Sequence, residues 1–291
     1  MSTNIPPDFG RARIILLGDS ITQLSFSSPN GFGAHLADVY QRRADVFNRG
    51  YSGYNTKWIL ELLSTEKGRY DIFGPAQTKN VVDGSDSSSS IPGNAVRLVV
   101  IFLGANDASC SILNTRQHVP IEAYQESLKS IFGIAKEHCP HAKFILVAPP
   151  PIHREGRLKY QVERYGVHKA TGELERTLDL SLQYASAAES VAKGLGVPCL
   201  NVWNEMQEAA PEPLWHAYLS DGLHLSPSGN EFVGKRLVEI IEQYYPELAV
   251  KPCSVGGLYA NSESECQIRQ QGPWHDDILD PQNYRHVFQN K

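Results

Sequence analysis

A serine becomes a nucleophile only where a base takes its proton and donors receive the charge developing on the attacked carbonyl. Four short stretches of this 291-residue chain carry groups of those types. Gly18-Asp19-Ser20-Ile21-Thr22 directly follows the apolar run Ile14-Ile15-Leu16-Leu17, which puts the Ser20 hydroxyl at the mouth of a buried strand. Thr22 stands where the nucleophile elbow G-x-S-x-G has its second glycine, so this strand-to-helix turn is of another kind. Asp221 and His224 lie three residues apart, close enough in a tight turn for the carboxylate to accept from imidazole Nδ1 while Nε2 faces a serine. Plainer readings exist for both stretches. Asp and Ser after a strand are ordinary helix caps, and D-x-x-H is also a cap followed by a surface histidine.

The charge-stabilising groups have candidates at two further strand ends. The run Arg97-Leu98-Val99-Val100-Ile101-Phe102-Leu103 is almost wholly apolar, as a central parallel strand must be, and it empties into Gly104-Ala105-Asn106-Asp107. Asn106 therefore stands on the same sheet edge as Ser20, with a side-chain amide that can donate to an oxyanion. In Arg49-Gly50-Tyr51-Ser52-Gly53-Tyr54-Asn55-Thr56, Gly53 offers a backbone N–H with no side chain in the way. Simple turns, and a local backbone cap for Asn106, are the competing readings.

The elements that must carry these groups alternate along the chain. Strands are expected at about 12–18, 45–49, 97–103, 143–149 and 197–202, and helices at about 31–43, 55–66, 121–138, 174–194 and 228–244. That alternation implies an α/β fold: a three-layer α/β/α sandwich around a flavodoxin-like, five-stranded parallel sheet. Right-handed crossovers with a switch point beside strand one bring the ends of strands one, two and three together. Ser226-Pro227 starts the last helix with a cap and a proline at its first position, leaving His224 on the loop before it.

Taken together, Ser20 in Gly-Asp-Ser, Gly53 in Gly-Tyr-Ser-Gly, Asn106 in Gly-Ala-Asn-Asp and His224 in Asp-Gly-Leu-His resemble the SGNH, or GDSL, hydrolases. The order agrees, and the blocks span about residues 11 to 245. The resemblance implies a serine nucleophile, Ser20; a base, His224; its orienting aspartate, Asp221; and an oxyanion hole from the Ser20 N–H, the Gly53 N–H and the Asn106 amide. Ala105 stands where the family often has threonine or serine, which leaves the neighbouring donor in place. The Arg-Gly-Tyr-Ser-Gly-Tyr-Asn-Thr and Asp-Gly-Leu-His-Leu-Ser-Pro-Ser-Gly wording looks most like the isoamyl acetate-hydrolysing branch. That implies a cofactor-free serine esterase for short-chain, acetate-type esters. The same parts would serve a thioesterase, a lysophospholipase or a carbohydrate deacetylase, and a flavodoxin-like scaffold can also bind a small ligand without turnover. Asp19 is expected to orient the serine turn and Asp107 to cap the next loop. For Trp203, Trp215 and Tyr218, core packing is favoured over lining an acyl or alcohol pocket.

Composition bounds the rest. The formal net charge of −5 gives no basic footprint, so nucleic acid is not an expected partner; a small ester is. No run approaches the ~18 apolar residues that would span a bilayer. The first residues lack a basic region followed by an apolar one, so no secretory signal is expected. Five cysteines, an odd number without C-x-x-C spacing, argue against a disulfide framework and a zinc site. Reduced thiols in the cytoplasm are the simplest reading, with a Cys253–Cys266 pair as the alternative in an oxidising compartment. The remaining histidines show no ligand pattern, and no metal is assigned. Residues 1–250 read as one hydrolase domain with an expanded Ser-rich surface loop at 83–94. Residues 251–291 read as an extension packed on that domain or on a partner subunit, which allows a homodimer.

Overall fold

The computed structural model of the protein describes residues 10–76, 95–250 and Ile268; the 83–94 loop, Cys253, Cys266 and the rest of the 251–291 extension lie outside the described residues. Five strands, β1 (Ala12–Gly18), β2 (Ala44–Gly50), β3 (Val96–Phe102), β4 (Lys143–Val147) and β5 (Cys199–Leu200), form one sheet. All pairings are parallel and the order is β2-β1-β3-β4-β5, the flavodoxin-like arrangement with its switch point beside β1. Every residue of the central β3 is buried, as a strand covered on both faces requires.

Strand alternation divides the apolar side chains between two cores. Ile14 and Leu16 of β1 join Leu98 and Val100 of β3 on one face, while Ile15, Leu17, Val99 and Ile101 join the other. The first face is covered by α2 (Phe32–Val39), by α8 (Val202–Ala209) and by α9 (Pro227–Tyr244), whose inward residues Val233, Leu237, Ile240 and Ile241 recur at helical spacing. The opposite face is covered by α3 (Thr56–Ser64), α4 (Glu66–Phe73), α5 (Ile121–His138) and α7 (Leu178–Leu195). Two helices lie at the carboxyl ends of the strands: the single turn α1 (Ser20–Gln23) and α6 (Arg154–Tyr165). A short 3₁₀ helix, Leu214–Tyr218, precedes the Asp221–His224 turn. From the extension, Ile268 is buried in the first core, and its carbonyl accepts from Arg43 Nη1 at 2.9 Å.

Several boundaries differ from the sequence expectation, each for a local reason. The expected helix at 31–43 stops at Val39, because Arg42 takes φ +59°. The expected helix at 55–66 ends at Ser64, since the Thr65 hydroxyl accepts from the Gly68 N–H and starts the separate helix α4. The expected helix from 174 begins only at Leu178, with Thr177 as its cap. The fifth strand shrinks to two residues, because Pro198 has no N–H and Asn201 turns away to cap α8. Helices α1, α4, α6 and α8 carried no expectation.

The register decides what the strands present. Gly18 pairs with Gly50 on one side and with Phe102 on the other, so β1, β2 and β3 end level and release Ser20, Gly53 and Asn106 at one edge. The Asp221–His224 turn is brought to the same edge by α6. Gly222, at φ +81°, lies against Gly156 of α6, and the His153 N–H donates to the Gly222 carbonyl at 3.0 Å. A Cβ on Gly156 would stand 2.8 Å from both Gly222 Cα and its nitrogen. Gly156→Ala is therefore expected to cost roughly 1–3 kcal/mol of stability by pushing the turn off α6. Denaturant unfolding checks this, and a wild-type stability would contradict it.

Candidate active site

The Ser20 position is built by its neighbour. Asp19 caps α1, its Oδ1 accepting from the Ile21 N–H at 2.9 Å, which leaves Ser20 as the first helical residue with its own N–H unpaired among the described residues. Ser20 Oγ lies 2.9 Å from His224 Nε2, and His224 Nδ1 lies 2.8 Å from Asp221 Oδ2. With Nδ1–H donating to the carboxylate, Nε2 carries the lone pair and accepts from the serine hydroxyl. The turn that holds this pair is closed by the Ser220 N–H on the His224 carbonyl at 2.8 Å and by Asp221 Oδ1, which accepts from the N–H groups of Leu223 and His224 at 3.0 and 2.8 Å.

Burial alone would raise the Asp221 carboxyl. The bonds from His224 and the nearby Arg157, whose Nη1 donates to Asp221 Oδ2 at 3.2 Å, outweigh it and hold the group well below the usual carboxylate range. Two other acids of the region go the opposite way. Burial pushes Asp19 up to about 6, against the opposing Ile21 N–H, and pushes Asp107 up to about 7.

Gly53 takes φ +81°, a conformation glycine adopts without strain, and its N–H has no partner among the described residues. Its carbonyl accepts from Gln117 Nε2 at 2.8 Å. Asn106 is buried, with one amide hydrogen committed to the Tyr54 carbonyl at 2.9 Å. The other has only a 3.5 Å contact with Asp19 Oδ2 and is available to an incoming oxyanion. Ser20, Gly53, Asn106 and His224 all line one cleft of about 540 Å³, whose further walls include the polar side chains of Asn114, Arg116, Gln117, Tyr160 and Arg164. Every residue expected from the sequence to act on the ester is therefore at one place.

Among the neighbours, Asp107 departs from expectation, while the three aromatic residues pack in the cores as favoured. Asp107 does not cap its own loop: its Oδ1 accepts from the Thr56 N–H at 3.0 Å and the Thr56 hydroxyl at 2.5 Å, tying β3 to the start of α3. Trp203, Trp215 and Tyr218 stay out of the cleft. Trp203 packs on the second core and donates to Ser181 Oγ at 3.0 Å, Trp215 is buried and donates to Glu212, and Tyr218 lies against Phe232. The sequence reading missed Gln117, Arg157, Glu175 and Arg176, which line the cleft; Gln117 and Arg176 bond to Asn106, Arg157 bonds to Asp221, and Glu175 joins the two arginines. Thr177, with Asp179 in the following turn, is the cap signal that would have moved Arg176 out of the expected helix. Among the described residues, no cluster of three or more His, Cys, Asp or Glu side chains is placed to hold a metal, and no helix is long and apolar enough to cross a membrane.

The GDSL-like lipase/acylhydrolase family profile matches residues 16–232. The chain belongs to this family. It is thereby an ester hydrolase, and its relatives agree. It is 42% identical over 225 residues to a GDSL esterase/lipase of Arabidopsis thaliana, covering 77% of this chain and 82% of that protein. It is 38% identical over 234 residues to the isoamyl acetate-hydrolyzing esterase 1 homolog of Homo sapiens, covering 79% and 82%. In fold, this family member matches a lipase/acylhydrolase from Enterococcus faecalis, with a TM-score of 0.53 at 22% identity over 80% of this chain and 96% of that one.

The raised Asp107 carboxyl gives a stability prediction. Its folded value of about 7 exceeds the unfolded carboxylate value of about 3.9, so its contribution is fully present below the lower value and is lost as pH rises through the upper one. Asp107→Asn removes the titrating carboxyl at this position, and Asp19, whose charge adds to the upward push on Asp107, titrates in both proteins. The stability of the wild type relative to Asp107→Asn is expected to fall between about pH 4 and about pH 7. Thermal unfolding of both proteins across that range checks it, and a gap independent of pH would contradict it.

Proposed function

We propose that this family member is a serine esterase for short-chain, acetate-type esters, working through an acyl-Ser20 intermediate. The observation that carries the reading is the unbroken chain from Ser20 Oγ through the His224 ring to Asp221, at 2.9 and 2.8 Å, beside the open N–H groups of one cleft. Ser20 Oγ attacks the ester carbonyl carbon as its proton passes to His224 Nε2. The carbonyl oxygen takes the displaced electron pair and is held by the N–H groups of Ser20 and Gly53 and by Asn106 Nδ2. Collapse breaks the bond to the alcohol, which leaves with the His224 proton. A water deprotonated by His224 then attacks acyl-Ser20 and releases the acid. Asp221 stays ionised throughout and stabilises the imidazolium. These steps use protein groups and water alone.

The short-acyl reading is supported by the isoamyl acetate-hydrolyzing esterase homologs, 37% identical in Bos taurus over 79% of this chain. A second reading has a specific observation behind it. The polar walls contributed by Asn114, Arg116, Gln117, Tyr160 and Arg164 suit a hydroxyl-rich alcohol portion, as in a carbohydrate deacetylase, better than a purely hydrocarbon one. A cytoplasmic setting is supported by Cys110, Cys139 and Cys199, which are unpaired among the described residues. The burial of Ile268 supports an extension that packs on the hydrolase domain.

Ser20→Ala and His224→Ala are each expected to keep the fold and to lower hydrolysis of p-nitrophenyl acetate by roughly 10⁴–10⁶-fold. Substantial turnover in Ser20→Ala would remove Ser20 as nucleophile. A series from p-nitrophenyl acetate to octanoate, set beside acetylated xylo-oligosaccharides, ranks the two substrate readings by kcat/KM.

A further inference from the structure

A buried polar chain joins the two halves of the cleft. Arg176 is its centre, with only 6% of its surface exposed. Its Nε donates to the Ala105 carbonyl at 2.8 Å, its Nη1 to Glu175 Oε1 at 2.7 Å, and its Nη2 to both Asn106 Oδ1 at 3.0 Å and Gln117 Oε1 at 2.8 Å. Gln117 Nε2 in turn donates to Asn106 Oδ1 at 3.0 Å and to the Gly53 carbonyl at 2.8 Å. On the far side, Glu175 Oε1 accepts from Arg157 Nη2 at 3.3 Å, and Arg157 Nη1 reaches Asp221 Oδ2 at 3.2 Å. The chain thus begins at the residue orienting the base and ends at both supplementary oxyanion donors.

Stability alone gives no reason to bury such a set, because apolar residues of similar volume commonly hold a fold as well or better than buried ion pairs. Orientation does give one. A guanidinium on Asn106 Oδ1 draws electron density from the carboxamide, so the Nδ2–H groups become stronger donors. It also fixes the plane of the amide, which could otherwise turn about its last torsion. Gln117 ties the Gly53 carbonyl to that same amide, so the Gly53 backbone, and with it the N–H on the other side of its Cα, is tethered to Asn106.

We propose that Arg176, acting with Gln117, is the positioning residue of the oxyanion hole: it aims and polarises Asn106 directly and holds Gly53 through Gln117. The proposal rests on the serine esterase reading. The guanidinium of Arg176 is bonded to Ala105, Glu175, Asn106 and Gln117 rather than to Ser20. Its effect belongs to the transition state, where the oxyanion exists, and not to the bound ester.

Steady-state kinetics of Arg176→Lys, Gln117→Leu and their double variant on p-nitrophenyl acetate, across pH, test the proposal, with Ser20→Ala run alongside. Lysine keeps a charge for Glu175 but cannot reach Ala105, Asn106 and Gln117 at once. Arg176→Lys is expected to lose roughly 10- to 100-fold in kcat, less than the 10²–10³ expected for deleting a donor outright. KM should stay within about twofold and the acid limb of the pH profile should not move, because the Asp221–His224 pair is untouched. Gln117→Leu should lower kcat in the same way, and the double variant should lose less than the product of the two singles. A folded Arg176→Lys with wild-type kcat, a loss confined to KM, or a shifted acid limb would each overturn the proposal. Should Arg176→Lys fail to fold, Gln117→Leu decides: a loss in kcat supports the proposal and wild-type kcat overturns it. Turnover surviving in Ser20→Ala would instead defeat the esterase reading beneath it.

Discussion

The cleft depends on keeping one carboxylate charged although it is largely out of water. Asp221 receives the N–H groups of Leu223 and His224, the Nδ1–H of His224 and a guanidinium from Arg157, and only this combination offsets the burial that acts against ionisation. An ionised Asp221 selects the imidazole tautomer that leaves Nε2 open toward Ser20. A neutral one would remove both the orientation and the counter-charge for an imidazolium. The tight turn, with glycine at the position requiring φ +81° and α6 packed against it backbone to backbone, is the covalent frame for that charge.

Asp19 and Asp107 form the contrast. They sit within the same group of strand ends, yet burial dominates at both and pushes them up to about 6 and about 7. Asp19 accepts one backbone N–H and caps the serine turn, and Asp107 holds the start of α3. Three acids around one crevice thus differ in role because they differ in the number and charge of their donors.

Much of this was legible in the sequence because it rests on local chemistry. The apolar run into Gly104-Ala105-Asn106 read as a central strand because burial on both faces leaves no room for polar residues, and α5 matched its expected limits because its period is clean. The Ser226-Pro227 start of α9 followed from capping alone. What escaped was polar and buried. The inner face of α6 is Arg157 and Gln161, so no apolar stripe marks it as a helix. Arg176 was placed inside a helix whose true start is two residues later, which hid the side chain that grips Asn106. A pairing between distant polar residues leaves no period to read; only the assembled strand ends reveal it.

The most direct measurement is the mass of the adduct formed with a fluorophosphonate, mapped by peptide sequencing. The account predicts one covalent phosphonate, on the peptide holding Ser20, formed at least about 100-fold more slowly when Asp221→Asn removes the charge behind His224. An adduct on another residue, or labelling of Ser20 at the same rate in Asp221→Asn, would contradict it.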